Sequence, residues 1–186
     1  MIIADVKKSA EQKMKKTLET LKVDLGKIRT GRAHTGLLDH IVADYYGAPT
    51  PLNQIASIAV PEPTLLVVSP YDKSVIEDVE KAIQQADLGV NPVSDGNVIR
   101  LPIPKLTEER RKEMTKVVRS KAEEGRVAIR NVRRDVIEDL RAFEKEHEIT
   151  KDDLHRGQEE AQKLTDRFIA ETDDMLKVKE KELMEV

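Results

Sequence analysis

Five basic side chains, Lys112, Arg119, Arg126, Arg130 and Arg133, recur at steps of seven, seven, four and three residues in a stretch without proline. On an α-helix they project within about 60° of one another, immediately beside an apolar stripe. Arginines spaced over several turns of a rigid helix suit a ladder of phosphates, whose oxygens the guanidinium fork grips in pairs. The competing reading is a solvated helix face laced with i,i+4 ion pairs. Between residues 110 and 134 the acids Glu113, Glu123 and Glu124 are read as lying off the stripe, which favours the phosphate ladder. Aromatic residues are only 3% of the chain, so stacking on unpaired bases is not expected, and double-helical RNA or DNA is the better ligand class.

The chemistry of catalysis is missing. His34, His40, His147 and His155 have no metal-ligand spacing, and no glycine-rich phosphate loop is present. With no cysteine, the chain has no disulfide, thiolate nucleophile or thiolate zinc site. The acid pairs Asp152-Asp153 and Asp173-Asp174 fall on polar helix faces. An intrinsic nucleotide hydrolase is not expected, nor any cofactor. The first residues lack the apolar core of a signal segment, and no apolar run approaches the ~20 residues that span a bilayer, so a soluble, cytoplasmic protein is expected.

Proline placement shows what must carry the basic stripe. All eight prolines lie between Pro49 and Pro104. Proline removes a backbone donor and clashes with the preceding turn, so long helix is allowed over Met1–Thr30 and Leu106–Val186 and forbidden between. The first helix has the stripe Ile3, Val6, Ala10, Met14, Leu18, Leu21, Leu25, Ile28. The second opens at Thr107, a candidate N-cap, and runs to about Glu146 on Met114, Val118, Ala122, Gly125, Ile129, Val132, Val136, Leu140 and Phe143. A third starts near Thr150 with Leu154, Ala161, Leu164, Phe168, Met175 and Leu183. Three stripes predict a three-helix bundle.

The insert reads as strands at Ile41–Tyr46, Ile55–Val60 and Leu65–Ser69. A helix from Ser74 to Leu88 follows, with Ser74 and Glu77 at capping-box spacing, and then a hairpin of Val90–Val93 with Val98–Leu101. The fold class is thus α+β with two domains: a bundle of residues 1–30 and 106–186, and an inserted β-β-β-α-β-β sandwich of residues 31–105. Of Tyr45 and Tyr46, one ring is expected inside the small core and one outside.

Net charge is only −3, but it is segregated: +4 over residues 1–30, −4 over 31–105, +5 over 106–134 and −8 over 135–186. Such asymmetry points to a polyanionic partner for one surface. Lys27, Arg29 and Arg32 add charge at the first crossing between the domains, and Arg110 and Arg111 just after the second. The crossings, Thr30-Gly31-Arg32-Ala33 and Pro102-Ile103-Pro104-Lys105, read either as ordinary helix termination or as a hinge, free on one strand and stiff on the other. On the hinge reading, Gly31→Pro should stiffen the first crossing and leave both domains folded, unless Gly31 requires a positive φ.

The chain closely resembles the bacterial ribosome recycling factor family. The matching segments are Lys27-Ile28-Arg29-Thr30-Gly31-Arg32-Ala33, Asp44-Tyr45-Tyr46-Gly47, Asp87-Leu88-Gly89-Val90-Asn91-Pro92, Leu106-Thr107-Glu108-Glu109-Arg110-Arg111-Lys112 and Arg130-Asn131-Val132-Arg133-Arg134-Asp135. The resemblance runs from end to end and closes on Lys179-Glu180-Lys181-Glu182-Leu183. It implies a three-helix bundle and a smaller α/β domain on a hinge, acting as a monomer in the intersubunit space of the post-termination ribosome. The bundle would lie against RNA of the large ribosomal subunit, and elongation factor G with GTP would drive the subunits apart. By the same resemblance Arg130 and Arg133 match RNA-contacting arginines, with Arg29, Arg32 and Arg111 in support. Arg119 and Arg126 join them from the stripe. The residues alone also allow a coiled-coil adaptor or chaperone-like module whose bundle binds protein.

Overall fold

The computed structural model describes residues Ile2–Glu185; the expected helix ends at Met1 and Val186 lie outside the described residues. The chain divides into two compact units. One holds the residues up to Ile28 together with Lys112–Glu185, and the other is Arg29–Arg111. The breaks fall a few residues from those expected at Thr30 and Leu106.

The first unit is built from α1 (Ile2–Gly26), α4 (Glu108–Lys145) from Lys112 onward, and α5 (Lys151–Met184). Each helix buries the middle of the stripe its periodicity marks, while Ile3, Val6, Leu18, Met114, Phe143, Leu154 and Met175 are half-buried. Helix α1 ends at Gly26, short of the expected Thr30 and of Ile28. Ala10 and Met14 of α1 share a core with Ile129, Val136 and Leu140 of α4 and with Ala161, Leu164 and Phe168 of α5. Val132, expected in that core, is half-buried at its edge. The starts of α4 and α5 are capped as their sequences predict. Thr107 accepts the N–H of Arg110 at 3.1 Å. Thr150 and Asp153 form a reciprocal capping box, Thr150 Oγ1 accepting from the Asp153 N–H and an Asp153 carboxylate oxygen from the Thr150 N–H. Hydrogen bonds from Thr150 and the Arg156 charge hold the Asp153 carboxyl below its usual range. Two buried hydroxyls were not legible as core residues. Thr165 and Thr172 satisfy themselves on the carbonyls of Ala161 and Phe168, which is how a polar group lies on a buried face without an orphan donor. Gly157 of α5 has no side chain because Leu140 occupies the space: a Cβ there would come within 2.8 Å of Leu140 Cδ1.

The second unit departs from the predicted β-β-β-α-β-β order. Strands β1 (Val42–Tyr45) and β2 (Ala48–Pro51) form a hairpin, followed by a single helical turn α2 (Leu52–Ile55) that ends on Ile55, the residue expected to open the second strand. Strands β3 (Ala56–Glu62), β4 (Leu65–Pro70), β5 (Val93–Ser94) and β6 (Ile99–Pro102) make an antiparallel sheet in the order β3-β4-β6-β5, with α3 (Ile76–Gln85) between β4 and β5 in the chain. The order among the described residues is therefore β-β-α-β-β-α-β-β, with α2 a single turn. Strand β2 was missed because Pro49 and Pro51 read as turn residues. In a two-stranded ribbon, proline is admissible on the outward-facing positions. The Ser74–Glu77 capping box does not form. Asp72 instead caps a 3-10 turn at Lys73–Val75, accepting from the Ser74 N–H at 2.9 Å, and α3 starts at Ile76. Leu52, Ile55, Leu66, Val68, Val79, Ile83, Ile99 and Leu101 fill this unit's core. Tyr45 packs against it, while Tyr46 is exposed and hydrogen-bonds through its hydroxyl to Asp72 and Ser74.

Candidate nucleic-acid interface

Helix α4 carries Arg119, Arg126, Arg130 and Arg133 of the predicted set, and the structure gives the four different environments. Arg126 is well enclosed, its side chain only 20% exposed. It donates from Nε and Nη2 to one Asp173 oxygen of α5, at 2.8 and 2.6 Å, and from Nη1 to Glu123 at 2.9 Å. Asp173 first and Glu123 second raise its already high pKa. Arg119 pairs likewise with Glu180 of α5. These two arginines clasp α4 to α5, and their charge is answered within the fold.

Glu123 corrects the reading that the acids lie off the stripe. At 100° per residue it stands only about 20° beyond Arg130's position. Its carboxylate takes Arg126 at 2.9 Å and Arg130 at 3.4 Å. The Arg126 hydrogen bond, with the charges of Arg126 and Arg130, lowers its pKa. Arg130 is thus touched by a carboxylate already shared with a nearer arginine.

Arg133 is different. It has no ion-pair partner among the described residues. Its Nη1 donates to the neutral Gln162 Oε1 at 2.8 Å, while its Nε is buried with no acceptor. This follows from its place on the helix: of the five basic positions, residue 133 is nearest the apolar stripe, so its stem enters the seam with α5. Arg130 and Arg133 therefore retain the least compensated charge of the four. The partners Asp173, Glu180 and Gln162 lie 47, 61 and 29 residues away in sequence, beyond the reach of any same-helix pattern.

The remaining candidates, Arg29, Arg32 and Arg111, belong to the other unit. Arg29 reaches the Asp87 carbonyl, and its guanidinium lies over Gly89, where a Cβ would come within 2.2 Å of Nη1. Gly89 has φ +68°, so the backbone there favours glycine, whereas the guanidinium tip could swing aside. Arg29 thus secures the Asp87-Leu88-Gly89 turn. Arg32 is half-buried, and the Arg111 N–H closes the first turn of α4 on the Thr107 carbonyl.

The predicted hinge residues are also tied down unevenly. Ala33 N–H donates to the Pro63 carbonyl and Ile103 N–H to the Thr64 carbonyl, each at 2.7 Å, and Pro102 pairs with Leu65 in the β4–β6 ladder. Thr30 is buried. Gly31 has φ +73°, and a Cβ on it would meet the Leu106 nitrogen at 2.9 Å. Proline cannot adopt that φ, so Gly31→Pro tests folding and cannot serve as a simple stiffening of the crossing. Pro104 and Lys105 are exposed.

Among the described residues no group of three His, Asp or Glu side chains could hold a metal ion, and no helix is long and apolar enough to cross a membrane.

Comparison with known proteins gives one consistent answer. The family model described as ribosome recycling factor matches residues 21–184. The ribosome-recycling factor of Nitrosospira multiformis is 55% identical over 185 residues, covering all of both chains. A solution structure of the ribosome recycling factor superposes with a TM-score of 0.85 at 40% identity, over all of this chain and 99% of that one. The T. thermophilus factor, in a structure with E. coli elongation factor G bound to the E. coli post-termination complex, is similar over the whole of both chains with a TM-score of 0.69 at 44% identity. The α+β architecture, the bundle's basic stripe and these full-length likenesses agree: the chain belongs to the ribosome recycling factor family.

Proposed function

We propose that this protein binds the post-termination ribosome in the space between the subunits and, with elongation factor G and GTP, promotes their separation and release from mRNA. The carrying observation is the likeness, over the whole chain, to a relative that is bound with elongation factor G to a post-termination complex. The helical unit anchors on RNA of the large subunit, and the smaller unit is the arm that the motor displaces. Hydrolysis belongs to elongation factor G, so the protein needs neither a nucleotide site nor a cofactor. It acts as a cytoplasmic monomer.

Arg133 and Arg130 are the residues we assign to phosphate contact. Arg119 and Arg126 support them indirectly, by holding α4 against α5. Arg29, Arg32 and Arg111 add positive charge on the other unit. Within the two crossings we place the hinge on the bundle side of the ties at Ala33 and Ile103, at Thr30 on the first strand and Pro104–Lys105 on the second.

Arg133→Ala should weaken binding to purified large subunits by about 1–3 kcal/mol, since a phosphate loses a charged partner. Helicity should barely change, because alanine is the better helix former. Wild-type affinity should fall steeply with salt as counterions are recaptured. Binding that ignores salt and survives Arg133→Ala would reject this assignment and favour the protein-binding adaptor.

A further inference from the structure

We infer that Gln162 of α5 is a positioning residue for the RNA contact of Arg133, seating its guanidinium through an uncharged anchor so that the full positive charge remains available to phosphate. The inference rests on the reading of Arg133 as a phosphate contact.

The geometry is a relay of two hydrogen bonds across the α4–α5 seam. Arg133 Nη1 donates to Gln162 Oε1 at 2.8 Å, and Gln162 Nε2 donates to Asp166 Oδ1 at 2.8 Å, one turn further along α5. An ionised carboxylate only accepts, so Asp166 selects the amide orientation that turns the oxygen of Gln162 toward Arg133. The buried Nε shows that the inner part of the guanidinium is lodged in the seam. Two of the other arginines of α4 are held differently. Arg119 and Arg126 meet carboxylates directly, which fixes them and cancels their charge together. At Arg133 the carboxylate stands one residue removed, behind a neutral amide.

That arrangement has a consequence for binding. A long arginine loses rotamer freedom when it grips a phosphate, and one already seated has lost much of it beforehand. A carboxylate at position 162 would seat it equally well but would compete with the phosphate for the same N–H groups. Gln162 is exposed, so its replacement leaves the buried core untouched.

The test is a double-mutant cycle with the full-length protein and purified large ribosomal subunits, at several salt concentrations, with helicity checked by circular dichroism. Gln162→Leu should weaken binding about threefold to tenfold without changing the salt slope, because no charge is lost. In the Arg133→Ala background the same change should have no effect. Gln162→Glu should weaken binding and flatten the salt slope by close to one unit, as the new carboxylate neutralises Arg133. An unchanged or tighter Gln162→Leu variant, equal losses in both backgrounds, or a Gln162→Glu variant that binds like wild type would each overturn the inference while leaving the phosphate assignment standing. If Arg133→Ala alone binds normally, the assignment itself fails and nothing remains for Gln162 to position.

Discussion

Gly31→Pro should cost the protein more than 3 kcal/mol of stability, and Gly31→Ala about 2–3 kcal/mol. Residue 31 has φ +73°, a region that costs an L-residue about 1–2 kcal/mol and that a proline ring excludes. The clash compounds the strain: a Cβ would sit 2.9 Å from the backbone nitrogen of Leu106, a group that cannot swing aside like a side-chain tip. Gly26→Ala is the control. Nothing lies within 4 Å of a Cβ there, and the residue ends α1, so alanine should be neutral or stabilising by up to about 1 kcal/mol. Thermal or denaturant unfolding of the three variants decides. A Gly31→Pro protein melting with the wild type would contradict the backbone assigned to this crossing.

Ile129→Ala should be the next most damaging, at about 2–4 kcal/mol, through lost transfer energy and an unfilled cavity. Ile129 is fully buried in the core shared by Met14, Phe168 and Leu140. Val132→Ala should cost less, since Val132 lies half-buried at the edge. Glu124, exposed and ion-paired with Lys121 at 3.2 Å, should tolerate alanine within about ±0.5 kcal/mol. Equal unfolding shifts for Ile129→Ala and Glu124→Ala would mean that α4 turns a different face to its neighbours.

These two sites also mark where the residues alone were informative and where they were not. The bundle was legible because a 3.6-residue period over long proline-free stretches admits one burial pattern, and Ile129 lies on the arc that pattern defines. The insert was less so. Strands as short as Val93–Ser94 leave little periodicity, and the prolines of β2 carry the local signal of a turn. Gly31 reads as flexible in sequence, yet its positive φ and the approach of Leu106 make it a fixed point, which only the fold reveals. The basic stripe had the same limit. Its angular position on α4 followed from spacing, but Asp173 and Glu180, which engage Arg126 and Arg119, come from α5. Pairing between distant helices depends on their register, which a single helical wheel does not contain.

The most direct measurement of the central claim is subunit separation followed by light scattering, on post-termination ribosomes given this protein, elongation factor G and GTP. The wild type should split them only when both factor and nucleotide are present. Arg133→Ala, at a concentration below saturation, should be slower by about fivefold to 150-fold, the kinetic image of a loss of about 1–3 kcal/mol in anchoring. Raising its concentration should restore the rate, because the arm and its motor are untouched. Splitting by the wild type without elongation factor G, or an Arg133→Ala protein as fast as wild type at every concentration, would contradict the account.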